Sequence, residues 1–314
     1  MSEKLSIPEN SSGKRPDYDA NDPNPGDRAY QEVVLPDANI EAKKEGIDLN
    51  EEKTDRKETT REKSPAEEKW FSSSPEEMLI LLEKEITTDE GKRKLCLFLV
   101  ACCRDMGTLN KQESSNLNTL EGYANGKITK EELMDIDIDN ELGQDGVFFA
   151  GSSIFTIYSA IRTFRSEDPL IEALNAVSSA SSFVGSKTVT AVRNANRNIS
   201  ITDSRAREIY NDAVGKEAVK QAGLLRDVFG NPFNHDSMVL MEVWLTKDVL
   251  NLAQAIYEEE RFEDLPVLAD ALEEAGCNNE EILNHLRGPS THVRGCWCLD
   301  LILQKEEKQE DEKE

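Results

Sequence analysis

The segment VLNLAQAIYEEERFEDLPVLADALEEAGCNNEEILNHLRG, residues 249–288, decides the fold class. Its apolar residues recur three and four positions apart, which is the spacing of one face of an α-helix. Gly276 ends one of these helices, and Asn278 with Glu281 has the spacing of a cap for the next. The two clearest faces are Val249, Leu252, Ala253, Ile256 and Tyr257, and then Leu265, Leu268, Ala269 and Leu272. Successive amphipathic helices predict an all-α domain.

The same helical period extends toward the N-terminus. Ser74 followed by Pro75 predicts a helix start, and Thr129 with Glu132 has the spacing of a capping box. A helix over 90–106 places four apolar residues on one face, namely Leu95, Phe98, Leu99 and Cys102. Helices are also predicted over 147–164, 168–185, 187–198 and from Ser204 to Phe229. The whole is predicted to be an orthogonal bundle of short helices, since alternating β-branched runs occur only as short pieces.

The last predicted helix supplies a core anchor. It holds Val293, Cys296, Trp297, Leu301 and Leu303. The apolar neighbours of Trp297 at helical spacing predict that its indole is buried in the core. Phe98 and Cys102 are predicted core anchors for the same reason, and a buried Cys102 thiol would be inert.

The chain ends are predicted to lie outside this domain. Residues 1–66 are rich in charged residues, Pro, Asn and Ser, and hold too few apolar side chains to offset chain entropy. We therefore expect a disordered tail over 1–66, a helical domain over 67–305 and a frayed charged tail over 306–314.

The net charge and the apolar content of the chain indicate which kinds of partner are not expected. The net charge of −25 over 314 residues repels phosphate backbones and anionic membranes, so nucleic acid and membrane are not expected partners. The longest apolar run, residues 147–161, carries Ser and Thr and is too short to span a bilayer. No apolar signal segment opens the chain, which predicts a cytoplasmic protein with six reduced cysteines.

Five phrases occur in order along the chain. They are LFLVACCRDM (97–106), LLRDVFGNPF (224–233), LPVLADALEEAGC (265–277), EILNHLRGP (281–289) and HVRGCWCLDLIL (292–303). This set resembles an uncharacterised helical domain of large-genome bacteria, especially planctomycete-type species. The resemblance covers about residues 70–305 and is most specific over the last sixty. It implies an all-α domain with those boundaries and implies no activity.

Thiol and imidazole side chains gather near the C-terminus. Cys277, His285, His292 and Cys296 could together bind Zn²⁺ in a tetrahedral site. The alternative is that Cys296 is a small core residue beside Trp297 and that the histidines lie at helix ends. This alternative is favoured because the cysteine pairs that mark structural zinc sites, two residues apart, are missing. No metal and no cofactor is predicted.

Two other candidate sites have weaker patterns. Cys102 or Cys103 could form a nucleophilic pair with His285 or His292, although no local motif supports it. The acidic run that starts at Asp135 resembles a calcium loop. Its sixth and twelfth positions are Asn140 and Gly146 where that loop needs Gly and Glu, so a solvated loop is favoured.

Arg287, His292 and Arg294 form a small basic group in an acidic chain. They could contact an anion or an acidic peptide, helped by the amides of the last helix. The favoured alternative is that the arginines form interhelical ion pairs with Glu273, Glu274 or Asp300.

Two classes of function remain. The first is a non-catalytic interaction or scaffold module, which the missing catalytic spacing favours; its protein partner is unknown. The second is an enzyme or zinc-binding effector that uses the C-terminal Cys/His group. Convergence of those side chains in space would favour the second class.

Overall fold

The computed structural model describes residues 63–305 except 73, 108, 137–152, 167, 196–200, 234–239 and 290. Within these ranges the regular structure is helical and no β-strand occurs, which confirms the predicted all-α class. No helix in the described part of the chain is long and apolar enough to cross a membrane. The predicted tails lie outside the described ranges, apart from residues 63–66.

Twelve α-helices lie within the described ranges. They are α1 (Pro65–Ser72), α2 (Pro75–Leu81), α3 (Asp89–Asp105), α4 (Lys111–Ala124), α5 (Lys130–Met134), α6 (Ser153–Thr163), α7 (Pro169–Ala195), α8 (Asp203–Phe229), α9 (Lys247–Glu259), α10 (Leu265–Glu274), α11 (Glu280–Arg287) and α12 (Trp297–Ile302). Short 3₁₀ helices add Glu85–Thr87, Glu242–Trp244 and Phe262–Asp264. The first helix begins at Pro65, two residues before the predicted domain boundary.

Side-chain caps set where several helices start. The Ser74 hydroxyl accepts a hydrogen bond from the Glu77 amide, and Thr129 forms the predicted capping box with Glu132. Two predicted helix starts are wrong by one or two positions. Thr202 rather than Ser204 caps α8, and Asn279 rather than Asn278 caps α11. The flanking polar residues have the same cap chemistry, so sequence spacing alone did not separate them.

The break predicted between residues 185 and 187 is wrong. Helix α7 runs without interruption from Pro169 to Ala195. Gly185 lies inside it because α8 crosses closely there: a Cβ at this position would lie 2.7 Å from the ring of Tyr210. The glycine therefore permits helix packing and does not end the helix.

The last helix is shorter than predicted. It starts at Trp297 and leaves Val293 in the preceding segment. Gly295 has a φ of +94° and lies against Leu97, where an added Cβ would be 2.7 Å from a methyl carbon. This left-handed turn separates Val293 from the helix, since only glycine adopts it without strain.

The helices enclose two clusters of buried apolar side chains. The first lies among α1–α8 and includes Trp70 and Phe98, both 0% exposed, and Cys102. The second lies among α9–α12 and includes Trp297, which is 5% exposed. Val293 packs against the first cluster, whereas Cys296 belongs to the second. The segment between α11 and α12 therefore joins the two clusters.

Polar contacts cross between the two clusters. The Arg93 guanidinium donates to the Asp300 carboxylate at 2.7 Å, and both side chains are almost fully buried. The Tyr257 hydroxyl lies 2.7 Å from the side-chain oxygen of Asn125. A buried ion pair at such a junction holds the two clusters in register only while both partners are present.

Candidate metal centre

Four side chains with metal-ligating atoms meet where the two clusters join. Asp227 lies in the last turn of α8 and His285 in the last turn of α11. His292 lies in the segment between α11 and α12, and Cys296 is the residue before α12. One ligand atom from each of the four lies within 4.8 Å of all the others.

The distances show that the four atoms surround a common point. His292 Nδ1 is 2.6 Å from Asp227 Oδ1 and 3.8 Å from Cys296 Sγ. His285 Nε2 is 3.1 Å from the same Sγ and 3.3 Å from the same Oδ1. Donors around a tetrahedral Zn²⁺, with bonds of about 2.0–2.3 Å, lie roughly 3.3–3.8 Å apart. Four of the six donor pairs lie 2.6–3.8 Å apart, and all six lie within 4.8 Å. Binding of Zn²⁺ would therefore lengthen the short pair between His292 and Asp227 and shorten any pair near the 4.8 Å limit.

The Asp227 carboxylate is oriented by the backbone. The amide N–H of Val293 donates to its Oδ2 at 2.9 Å, which leaves Oδ1 directed at the two histidines. The side chain has no exposure to solvent. Burial opposes ionisation, but hydrogen bonds from His285 and His292 outweigh it and lower the pKa of Asp227. The carboxylate is consequently ionised and available as a ligand at neutral pH.

The thiol of Cys296 is held in its protonated form when no cation is present. Its burial, followed by the nearby Asp227 charge, raises the pKa of Cys296 well above the usual value. The residue is 0% exposed. A divalent cation would reverse this effect, because a coordinating thiol loses its proton to the metal.

His285 is positioned by an aromatic neighbour. Its ring centroid lies 4.9 Å from that of Trp297 and 5.0 Å from that of His292, with the two imidazoles edge to face. Its side chain is 16% exposed, against 6% for His292. His285 is thus the most accessible of the four side chains.

Three of the four sequence candidates, His285, His292 and Cys296, belong to this group, and Cys277 does not. Cys277 follows the left-handed Gly276 after α10 and is buried in the second cluster. Asp227 takes the fourth place and was missed, because it lies 65 residues before His292. The signal available in the sequence was an acidic residue among Leu224, Leu225 and Val228 on a buried helix.

The geometry differs from that of a nucleophilic triad. A triad needs the base to contact the thiol through one ring nitrogen and the orienting acid through the other. Here His285 faces both Cys296 and Asp227 through Nε2. The thiol that contacts both histidines is that of Cys296, whereas Cys102 and Cys103 are buried in the first cluster. Burial raises the pKa of both those thiols, to about 12 for Cys103.

The predicted basic group is divided among separate contacts. Arg287 donates to Asp270 and Glu273, each at 2.6 Å, so the predicted Glu273 pair is present. Arg294 donates to Glu260 at 2.7 Å, and Asp300 pairs with Arg93 instead. The last helix has only six residues, too few for an anion site at its start.

Most of the calcium-like run, from 137 onward, lies outside the described residues.

The arrangement favours a cation on electrostatic grounds. Asp227 and His285 each lie in the last turn of a helix, where the helix dipole places partial negative charge. An aspartate, two imidazoles and a thiol form a ligand set suited to Zn²⁺. The residues present therefore fit a transition-metal ion.

Comparisons with known proteins do not extend this interpretation. No protein-family model, no curated protein and no solved structure matches the chain. The resemblance to a bacterial helical domain stays a prediction.

Proposed function

We propose that this chain is a non-catalytic helical interaction module whose fold is stabilised by one bound Zn²⁺ ion. Asp227 Oδ1, His285 Nε2, His292 Nδ1 and Cys296 Sγ would be the ligands. The observation that carries the proposal is the convergence of these four atoms within 4.8 Å of one another. They come from three separate parts of the chain, so local sequence proximity does not explain it.

Charge balance supports a divalent ion. The Asp227 carboxylate and a Cys296 thiolate would supply two negative charges, and both side chains are fully buried. A divalent cation neutralises them, whereas an unbalanced buried charge is strongly unfavourable. The mixed imidazole and thiolate set selects Zn²⁺ over the harder Mg²⁺ and Ca²⁺, which prefer oxygen ligands.

Ligand number supports a structural role. Four protein ligands complete a tetrahedron, whereas catalytic zinc sites keep one position for water or substrate. Little solvent reaches the donors, since His292 is 6% exposed and Asp227 is 0% exposed. The ion would tie α8 to α11 and to the start of α12, and the module would act by binding a partner.

Metal analysis of the purified full chain tests the proposal. We expect about one zinc per chain by mass spectrometry of the metal. Cobalt substitution should give a thiolate-to-metal charge-transfer band that Cys296→Ser removes. The matched control is Cys277→Ser, because Cys277 is also buried near the C-terminus but lies outside the ligand group. It should keep full metal content.

A second measurement separates a structural ion from a bound contaminant. Chelation should lower the thermal midpoint of the parent chain, and it should have little effect on Cys296→Ser. A chain that purifies without metal, fails to take up zinc or cobalt and melts unchanged with chelator would contradict the proposal.

A further inference from the structure

A pocket lies between α3, α8 and the segment before α12. Its volume is about 250 Å³, slightly below the usual range for drug-sized ligands, which suits a small molecule. Its apolar walls are Leu97, Val100, Ala101, Leu224, Phe262 and Val293. A ligand for this pocket therefore needs an apolar body.

Arg294 enters the pocket in a fixed orientation. The central carbon of its guanidinium, Cζ, lies over the Tyr257 ring at 5.0 Å from the ring centroid, and its side chain is 17% exposed. Its Nη2 donates to Glu260 at 2.7 Å. Its Nε is buried and has no hydrogen-bond partner among the described residues, although Glu121 Oε1 lies 3.2 Å away. Both oxygens of Glu121 accept from Arg104, at 3.0 and 2.7 Å, so this carboxylate is shared between Arg104 and Arg294.

Of the two donors on the Nε and Nη2 edge of Arg294, Nη2 is therefore hydrogen-bonded and Nε, within the described part of the chain, is not. This edge can donate two parallel hydrogen bonds to a single carboxylate, which is the strongest arrangement available to arginine. In the structure one of the two donors is taken by Glu260 and the other has no acceptor with suitable geometry. A carboxylate from a ligand would satisfy both.

Glu260 occupies the position that such a carboxylate would take. It has a φ of +55° at the end of α9, a left-handed conformation that is strained for a glutamate. Its side chain is 48% exposed, so it can turn into solvent at little cost, since exposed ion pairs contribute little stability. We propose that this pocket binds a small monocarboxylate with an apolar, aromatic-sized body, and that Glu260 is an internal competitor for Arg294.

The other charges of the pocket limit the ligand to one negative group. The lining holds three cations, Arg104, Lys220 and Arg294, and three carboxylates, Asp105, Glu121 and Glu260. When Glu260 turns away, one positive charge is left without balance, and one ligand carboxylate restores neutrality. A second anionic group would have no partner, because Lys220 is paired with Asp105. Arg294 is not one of the four metal donors, so carboxylate binding and metal binding can be measured independently.

Calorimetric titration with 2-naphthoate tests the inference, with 2-naphthamide as the uncharged analogue of the same shape. We expect saturable binding of naphthoate by the full chain, with the amide roughly tenfold weaker or more. Glu260→Gln should tighten naphthoate binding about three- to tenfold, because it removes the competing charge. Arg294→Lys should weaken it by about tenfold, since lysine keeps the charge and loses the paired donors.

Glu259→Gln is the matched control, since Glu259 is the neighbouring residue, pairs with Arg261 and does not line the pocket. It should leave binding unchanged. Equal binding of naphthoate and naphthamide, no saturable binding of naphthoate, or a Glu260→Gln chain that binds no better than the parent would each overturn the inference. Metal content measured on the same samples distinguishes such a failure from failure of the metal proposal. If Arg294→Lys does not fold, the Glu260→Gln comparison decides.

Discussion

The indole of Trp297 packs within the second apolar cluster and beside the imidazole of His285. It belongs to the second apolar cluster, is 5% exposed, and its ring centroid lies 4.9 Å from that of His285. We expect Trp297→Ala to lower the free energy of unfolding by about 3–5 kcal/mol, because it leaves a large cavity. Chemical denaturation measures this, and Phe71→Ala is the control because Phe71 is 45% exposed. A Trp297→Ala chain as stable as the parent would show that the indole packs against nothing essential.

The buried thiol of Cys103 should make the free energy of unfolding depend on pH in the alkaline range. Its burial raises its pKa from 9.0 to about 12 in the folded chain. Because the folded pKa is raised, the thiol favours the folded state fully below pH 9.0, and this contribution is lost as the pH rises toward about 12. Cys103→Ala should make the fall in unfolding free energy above pH 9.0 shallower, by up to about 1.4 kcal/mol per pH unit. Denaturation curves of both chains across this range check it, and parallel slopes would contradict it.

At the scale of the elements, the crossing of α7 and α8 depends on one glycine. A Cβ at Gly185 would lie 2.7 Å from the Tyr210 ring and 2.9 Å from a Val214 methyl group, so Gly185→Ala should destabilise the chain by about 1–3 kcal/mol. Gly223 lies inside α8 with no described heavy atom within 4 Å of an added Cβ. Gly223→Ala should therefore stabilise by about 0.5–1 kcal/mol through helix propensity. The two thermal midpoints should move in opposite directions, and equal shifts would argue against a close crossing.

At the scale of the whole molecule, the two apolar clusters depend on the buried pair of Arg93 and Asp300. Their side chains are 4% and 0% exposed. We expect Asp300→Leu to cost about 3–5 kcal/mol, because the buried guanidinium of Arg93 keeps only the more distant Glu90, at 3.3 Å, whereas adding Arg93→Met should recover most of that loss. A double-mutant cycle by urea denaturation measures the coupling. Additive effects of the single changes would show that the pair does not couple the clusters.

Part of the fold follows from chemistry between residues that are close in the sequence. The helical spacing around Val249 and Leu265, the Ser74 and Thr129 caps, and the stop at Gly230 after α8 all depend on residues within one or two turns of each other. Such signals need no knowledge of the fold. The histidines and Cys296 could be named as candidates for the same reason, since eleven residues separate His285 from Cys296.

The remaining features could not be predicted from the sequence, because they depend on contacts between residues far apart in the chain. Gly185 is indistinguishable from a helix end until α8 is known to cross it. Asp227 lies beside the two histidines and Cys296, and Cys277 does not, because of how α8 packs against the segment after α11. Arg294 likewise faces Tyr257 and Glu260 through the packing of α9 against that segment. These contacts depend on how helices that are distant in the sequence pack together. The spacing of residues along a single helix does not predict that packing.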